Sequence, residues 1–193
     1  MSLSSAPFTV RAYRPADESG WLRCRVLAFL STQYYDDVKP HRTVLAEPSI
    51  ALVAVSPTGE IIGILDVQVD GNAATIDTVA THPDHQGAGV GSALLREVLS
   101  HLEAARVETL DAWTREDVAA NRWYRSHGFS EQYRYLHVYL NDGDDDTGFA
   151  TPDGLSAPVS AFLHGGIEDE ARMRARFRRV YVCRQYLRPV MQR

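Results

Sequence analysis

The sequence predicts a mixed α/β fold, with a central, mixed but mostly antiparallel β-sheet of about seven strands flanked by helices. Three observations carry that prediction. Residues 49–82 hold three β-rich runs joined by the short turns "SPTGE" and "GN", the pattern of an antiparallel meander. A loop with glycines at 87, 89 and 91 follows, and directly after it an apolar run at helical spacing. Strand-like and helix-like segments then alternate to about residue 140 and resume near 178.

The elements follow in order. "FTVRAY" (8–13) alternates as a strand does, and Pro15 ends it. In "ADESGWLRCRVLAFLSTQYY" the residues Trp21, Leu22, Cys24, Val26, Leu27, Phe29 and Leu30 fall at helical spacing. A polar stretch with Pro40 and Pro48 leads into "SIALVAV", "EIIGILDVQVD" and "AATIDTVATH", the three strands of the meander. From Val90 to Ala105, Ala93, Leu94, Val98, Leu99 and Leu102 predict an amphipathic helix that starts at or inside the glycine loop. "VETLDAW" reads as the next strand. Thr114 and Asp117 look like a capping-box pair opening the helix "DVAANRWYRSH", which Gly128 stops. "FSEQYRYLHVYL" returns as a strand. Residues 141–166 are rich in Asp, Gly, Pro and Ser and predict an irregular excursion. With a short helix in "IEDEARMRARF", the excursion runs to about residue 177 and separates the last two strands, the final one being "RVYVCRQYL". One domain over 1–193 is expected, without repeats.

Composition removes several function classes. A net charge of −5 and a pI near 5.8 lack the basic footprint of a nucleic-acid or anionic-membrane binder and slightly favour a cationic partner. Cys24 and Cys183 stand far apart without metal-ligand spacing and read as reduced core thiols. The start "MSLSSAPFTVRAYRP" has no apolar signal region, and "ALVAV" and "IIGIL" are too short to cross a bilayer. A soluble, cytoplasmic protein is expected, with a homodimer through the last strands and the excursion as one option.

The glycine loop carries the functional signal. A strand, a loop of small residues and a helix turn several backbone N–H groups toward one point, where the helix N-terminus adds positive partial charge. Such a place suits a diphosphate. A mononucleotide P-loop is excluded because Gly91 is followed by Ser92, Ala93 and Leu94, with no lysine. Gly87, Gly89 and Ser92 come near a dinucleotide fingerprint, and Asp111 lies about where a ribose-binding acid belongs. Antiparallel hairpins, however, precede the loop where βαβ units should surround it.

Gln86-x-x-Gly89-x-Gly91, entered from "IDTVATHP" and followed by an apolar helix, resembles the acyl-CoA-binding motif of the GNAT superfamily of N-acyltransferases. A second signature of that family is similar to Ala120, Trp123-Tyr124 and Gly128-Phe129. The family's order of strand, two helices, three strands, helix, strand, helix and two strands resembles the order read here. The resemblance implies a V-shaped opening between the fourth and fifth strands and acetyl-CoA as co-substrate, without a metal. It assigns the pyrophosphate to the backbone of Gln86, Gly87, Ala88, Gly89, Val90, Gly91 and Ser92, and the pantetheine arm to Val79 and Thr81. A backbone N–H near Val79 or Ala80 is expected to hold the oxyanion. Tyr124 is the implied general acid, facing the cofactor with Asp117 and Asn121; many family members have Asn where Asp117 stands, and Asp117 also suits a helix cap.

The base is either Asp77 or Asp66, with His82 and His85 as possible proton carriers. On the acceptor side, Asp36, Asp37 and Asp142 to Asp146 are candidates to attract a cationic amine, with Tyr34 and Tyr35 stacking on it; a solvated loop is the competing role for the late acidic run. That run is not a calcium loop, since Thr147 occupies the glycine position and no helices flank it. The sequence thus implies transfer of an acetyl or short acyl group to a primary amine of a small molecule or peptide by direct attack. A non-catalytic CoA-binding module on the same fold is the alternative.

Overall fold

The structure, a computed structural model, describes residues 8–191; the expected domain span of 1–193 reaches beyond them at both ends. The elements are β1 (Thr9–Ala12), α1 (Glu18–Phe29), β2 (Ser49–Val55), β3 (Ile61–Asp70), β4 (Ala73–Thr81), α2 (Val90–Ala104), β5 (Thr109–Thr114), α3 (Val118–Ser126), β6 (Ser130–Leu140), β7 (Ala161–Gly165), α4 (Glu170–Arg176) and β8 (Arg179–Pro189). They form one eight-stranded sheet in the order β1-β2-β3-β4-β5-β8-β6-β7. All neighbours run antiparallel except β4 and β5.

Three expectations need correction. The sheet has eight strands, because Ala161–Gly165 inside the expected excursion pairs with β6 as an edge strand. Its five residues alternate, with Ala161 and Leu163 packing inward and Phe162 and His164 outward, a signal too short to stand out beside Asp, Gly and Pro. Between α1 and β2 no second helix forms, and residues 30–48 run as turns and extended chain held by side-chain bonds to the sheet. Thr114 belongs to β5, and Asp117 alone caps α3, its carboxylate accepting from the Ala120 N–H at 2.7 Å.

Three apolar clusters hold the helices on the sheet. On one face α2 buries Val90, Leu94, Leu95, Val98 and Leu102 against β2–β5, together with Tyr124, Phe129 and Tyr186. Each such side chain contributes about 1.5–3 kcal/mol. α2 approaches closely because Gly63 of β3 has no side chain, and a Cβ there would stand 2.4 Å from Val90 Cγ1. This fixes the helix start, and with it the glycine loop, over β3 and β4. On the opposite face α1 packs Trp21, Cys24 and Ala28 on Val53, Ile64 and Ala80. The third cluster joins β6 and β8 to Phe177, Phe149 and Met173, on the segment that carries the excursion and α4. Both cysteines are free and buried, as the sequence suggested, and burial pushes the Cys24 thiol up to about 12. No helix of the described residues is long and apolar enough to cross a membrane.

Candidate active site

The parallel pairing of β4 and β5 stops after Ile76 and Ala112. Beyond that point the two strands part, and a cleft of about 780 Å³ opens between them. Asp77 marks the parting. In the β3–β4 ladder Asp66 opposes Thr78 and Val67 opposes Ile76, which leaves Asp77 as the extra residue of a bulge.

The register settles which backbone groups face the gap. His82 donates its N–H to Ile62 O at 2.9 Å, so His82, Ala80 and Thr78 direct their N–H and C=O groups toward β3. Val79 and Thr81 therefore turn theirs toward the gap. Of the two residues expected near the oxyanion, Val79 turns its N–H to the gap, whereas the N–H of Ala80 points into the sheet. Gln86 Nε2 reaches to 3.5 Å of Thr81 O and ties the loop to the strand end.

The loop is built as a donor cradle. Gly87 and Gly89 take φ of +77° and +80°, a left-handed backbone that an L side chain resists. Gly89 is the N-cap of α2 and offers no side-chain cap, and the first intrahelical bond is from Ala93 N to Gly89 O. The N–H groups of Val90, Gly91 and Ser92 are left without intrahelical acceptors at the positive end of a fifteen-residue helix. Ser92 Oγ lies 2.8 Å from His127 Nε2, which pins α2 to the end of α3.

One cleft brings together Val79, Ala80 and Thr81 of β4, the loop residues Gln86, Gly87, Gly89, Val90, Gly91 and Ser92, and the candidate side chains Asp77, Asp117, Tyr124, Tyr34 and Asp37. Tyr124 reaches it from α3 and is otherwise buried, flanked by Tyr186, Phe129 and Trp123. Burial, then the charges of Tyr34 and Asp111, raise its phenol well above the ordinary tyrosine value. The phenol stays protonated and remains a donor.

Other expected site residues stand elsewhere. Asp66 is fully buried outside the cleft with Arg42 Nε 3.0 Å from Oδ2. Burial raises its pKa, and the arginine opposes that. A carboxylate held this way, away from the gap, does not reach a substrate amine. Asn121 also falls out of the cofactor site. Its amide donates to Arg115 O and Asp117 O at 2.6 Å each, and its carbonyl accepts from the Tyr186 hydroxyl at 2.8 Å. Both of its N–H donors are used inside the protein and it does not line the cleft, so its work is to close the β5–α3 turn. Ala88 does not line the cleft.

The acidic attractors are largely neutralised. Asp36 makes a two-pronged pair with Arg179, at 2.7 Å for the longer-named contact between Nη2 and Oδ1, and Tyr35 is exposed with Arg179 4.9 Å from its ring. Asp37 meets the buried Arg25 at 2.8 Å. Asp144 and Asp145 pair with Arg178 and Arg176, tying the late acidic run to the arginines around α4. Among the described residues no group of three or more His, Cys, Asp or Glu is placed to hold a metal ion.

Sequence reasoning missed Arg115. It is buried and makes no ion pair among the described residues: its guanidinium donates to Gln33 O, Tyr139 Oη and His137 Nδ1 and lies 4.1 Å from the Tyr34 ring centroid. Its backbone N–H donates to the Tyr34 hydroxyl at 3.0 Å. Arg115 thereby fixes Tyr34 as a wall of the cleft. Burial pushes the Tyr34 phenol up to about 12. Trp113, which stands on β5 at the parting, was missed as well, although "LDAWT" sets Asp111 and Trp113 opposite to Leu110 and Ala112.

Residues 47–131 match the family model of the acetyltransferase (GNAT) domain. The parted parallel strands, the bulge and the donor loop all fall within that span. Over residues 47–131 the sequence thus matches an acetyltransferase domain of the GNAT family, an enzyme domain of the acyl-transfer class. The ribosomal-protein-S18-alanine N-acetyltransferase from Escherichia coli has a similar structure, at a TM-score of 0.60 and 19% identity over 96% of each chain. An acetyltransferase of the GNAT family from Staphylococcus aureus Mu50 superposes at 0.58 with 14% identity, covering 95% of this chain and 99% of the other. The PaiA N-acetyltransferase from Thermoplasma acidophilum, in complex with coenzyme A, gives 0.55 and 13% over 68% of this chain and 92% of its own. At these identities the likeness is one of fold. No curated relative matches the chain in sequence.

Proposed function

We propose that the chain is an N-acetyltransferase that moves an acetyl group from acetyl-CoA to a primary amine by direct attack. The observation that carries the proposal is the coincidence, in one cleft, of the parted β4 edge with the bare N-terminus of α2. The residues fit the acyl donor. Val90, Gly91 and Ser92 supply orphan N–H groups for its pyrophosphate, and the Val79 and Thr81 backbone supplies strand-like bonds for its arm.

In this reading the Val79 N–H polarises the thioester carbonyl and holds the negative oxygen that develops there. Asp77, at the bulge, takes a proton from the incoming ammonium directly or through water, which frees the nitrogen lone pair. As the C–N bond forms and the C–S bond breaks, Tyr124 donates its proton to the leaving sulfur. The phenolate recovers a proton from the nitrogen of the collapsing adduct and Asp77 releases its proton to water, so that the balance is ammonium plus thioester to amide plus thiol plus a proton. Lys39 Nζ stands 3.7 Å from Asp77 Oδ2, on the same wall of the cleft.

The test is release of free thiol from acetyl-CoA in the presence of a panel of primary amines. Amine-dependent release above hydrolysis is expected. Saturable acetyl-CoA binding without turnover by any amine would instead make the chain a CoA-binding module.

A further inference from the structure

The three apolar clusters account for the packing of all four helices, yet one part of the sheet remains open. It is the part of the face of β5, β8, β6 and β7 on the side of α1 that Arg115 and residues 33–36, packed on His137, Tyr139 and Arg179, leave uncovered. Its exposed rings are Trp113 (39%), Tyr133 (58%) and Phe162 (52%). The strand register puts them on one face: Trp113 opposes Gln185, which opposes Tyr133, Tyr135 opposes Cys183, and His137 lies between Tyr181 and His164. The rings touch in sequence across the sheet. Trp113 meets Tyr133 and Tyr135 edge to face, with centroids 6.2 and 5.6 Å away, and Tyr135 meets His164 at 4.7 Å. Phe162 closes the row 5.1 Å from His164.

Two features give this row a direction. Trp113 is also a wall of the acyl-transfer cleft, so the row begins at the opening between β4 and β5. Asp111, two residues earlier on the same face of β5, adds negative charge beside Trp113. One of its oxygens accepts from Gln185 Nε2 at 2.7 Å, and the other is buried with no hydrogen-bond partner among the described residues. The ring faces favour a flat apolar body, and a positive group on it meets a carboxylate at the Asp111 end of the row, whereas the other end carries the Arg115 guanidinium that donates to His137.

We infer that the acceptor is a primary amine attached to a flat ring system, which docks on the Trp113–Tyr133–Tyr135 face and passes its amine beyond Trp113 into the cleft. This rests on the acetyl-transfer reading and adds the substrate class. It moves acceptor recognition from the neutralised Asp36 and the exposed Tyr35 to an aromatic face that the sequence reading left unused. A peptide or a simple aliphatic amine gains little from that face.

The experiment has a kinetic arm and a binding arm. Thiol release from acetyl-CoA is compared for tryptamine, 2-phenylethylamine, n-hexylamine and an alanine-rich peptide with a free N-terminus. The ring amines should have a kcat/KM about tenfold above hexylamine, as expected for one or two ring contacts. Tyr133→Ala, an exposed position, should raise KM for the ring amines alone. In the binding arm, calorimetry of 2-phenylethylamine with the wild type and with Tyr133→Ala should show affinity lost in the variant, whether or not turnover occurs. Equal use of hexylamine or the peptide, with Tyr133→Ala unchanged, overturns the ring-amine inference while acetyl transfer stands. If no amine is turned over, the acetyl-transfer reading fails, and the calorimetry still decides the aromatic face: absent binding, or binding that Tyr133→Ala leaves intact, overturns it.

Discussion

Tyr186 stacks on Tyr124 with ring centroids 5.3 Å apart and planes 12° from parallel, and its hydroxyl donates to Asn121 Oδ1 at 2.8 Å. One residue of the last strand thus holds both the candidate acid and the turn that carries it. Tyr124→Phe keeps the stack and removes only the hydroxyl. It is expected to lower kcat by about 100-fold, the low end for a general acid, with acetyl-CoA affinity little changed. Steady-state kinetics beside calorimetry checks this, and an unchanged kcat reduces Tyr124 to packing.

Gly89 at φ +80° both turns the chain and exposes the helix N-terminus. Space is not the constraint, since a Cβ at Gly89 would meet nothing within 4 Å. Gly89→Ala should therefore act through conformation, costing about 1–2 kcal/mol to hold the left-handed backbone. Acetyl-CoA affinity should fall and the melting temperature drop slightly. Unchanged affinity in a calorimetric titration would argue against the loop as the diphosphate site.

Asp77 and Asp66 separate by opposite effects. Asp77→Asn should lower kcat by about 100-fold with the fold intact. Asp66→Asn leaves Arg42 facing an amide and should cost about 3 kcal/mol of stability. Melting curves and turnover measured on both variants decide the matter. Lost turnover in a stable Asp66→Asn protein, with Asp77→Asn active, reverses the assignment of the base.

His137 supplies the pH dependence. Its Nδ1 accepts from Arg115 Nε at 3.2 Å and its Nε2 lies 2.8 Å from the Tyr135 hydroxyl, an arrangement only the neutral ring satisfies. Burial first, then the charges of Arg115 and His164, push its pKa from 6.5 down to about 4. Between those values the unfolded chain binds a proton that the folded one refuses, so stability is lost as pH falls through the window, by on the order of 2 kcal/mol. Thermal melts from pH 7 to 4 should show a steeper decline for the wild type than for His137→Gln. Parallel declines would remove His137 as the cause.

Much of the local structure around the candidate site was legible in the chain. The spacing of Gly87 and Gly89 ahead of Val90, Leu94 and Leu95 is a local property, because left-handed turns and helical stripes are set by neighbours in sequence. The three hairpin strands, the helix Val118–Ser126 and its glycine stop were legible for the same reason. The partners of charged groups were not. Asp66, Asp36 and Asp37 read as free carboxylates, and each meets an arginine 24, 143 or 12 residues away. Asn121 read as a ligand contact until Tyr186, 65 residues on, proved to occupy its carbonyl.

The sequence alone determined a strand, a glycine turn and an apolar helix that together bare three amide hydrogens, since these depend on backbone preference and on a repeat of 3.6 residues. Only the tertiary structure decided that β4 and β5 part after Ile76, that Arg115 braces Tyr34, and that an aromatic face lies open beside the cleft. Register, burial and charge pairing join residues distant along the chain, and their energies exist only once the sheet has assembled.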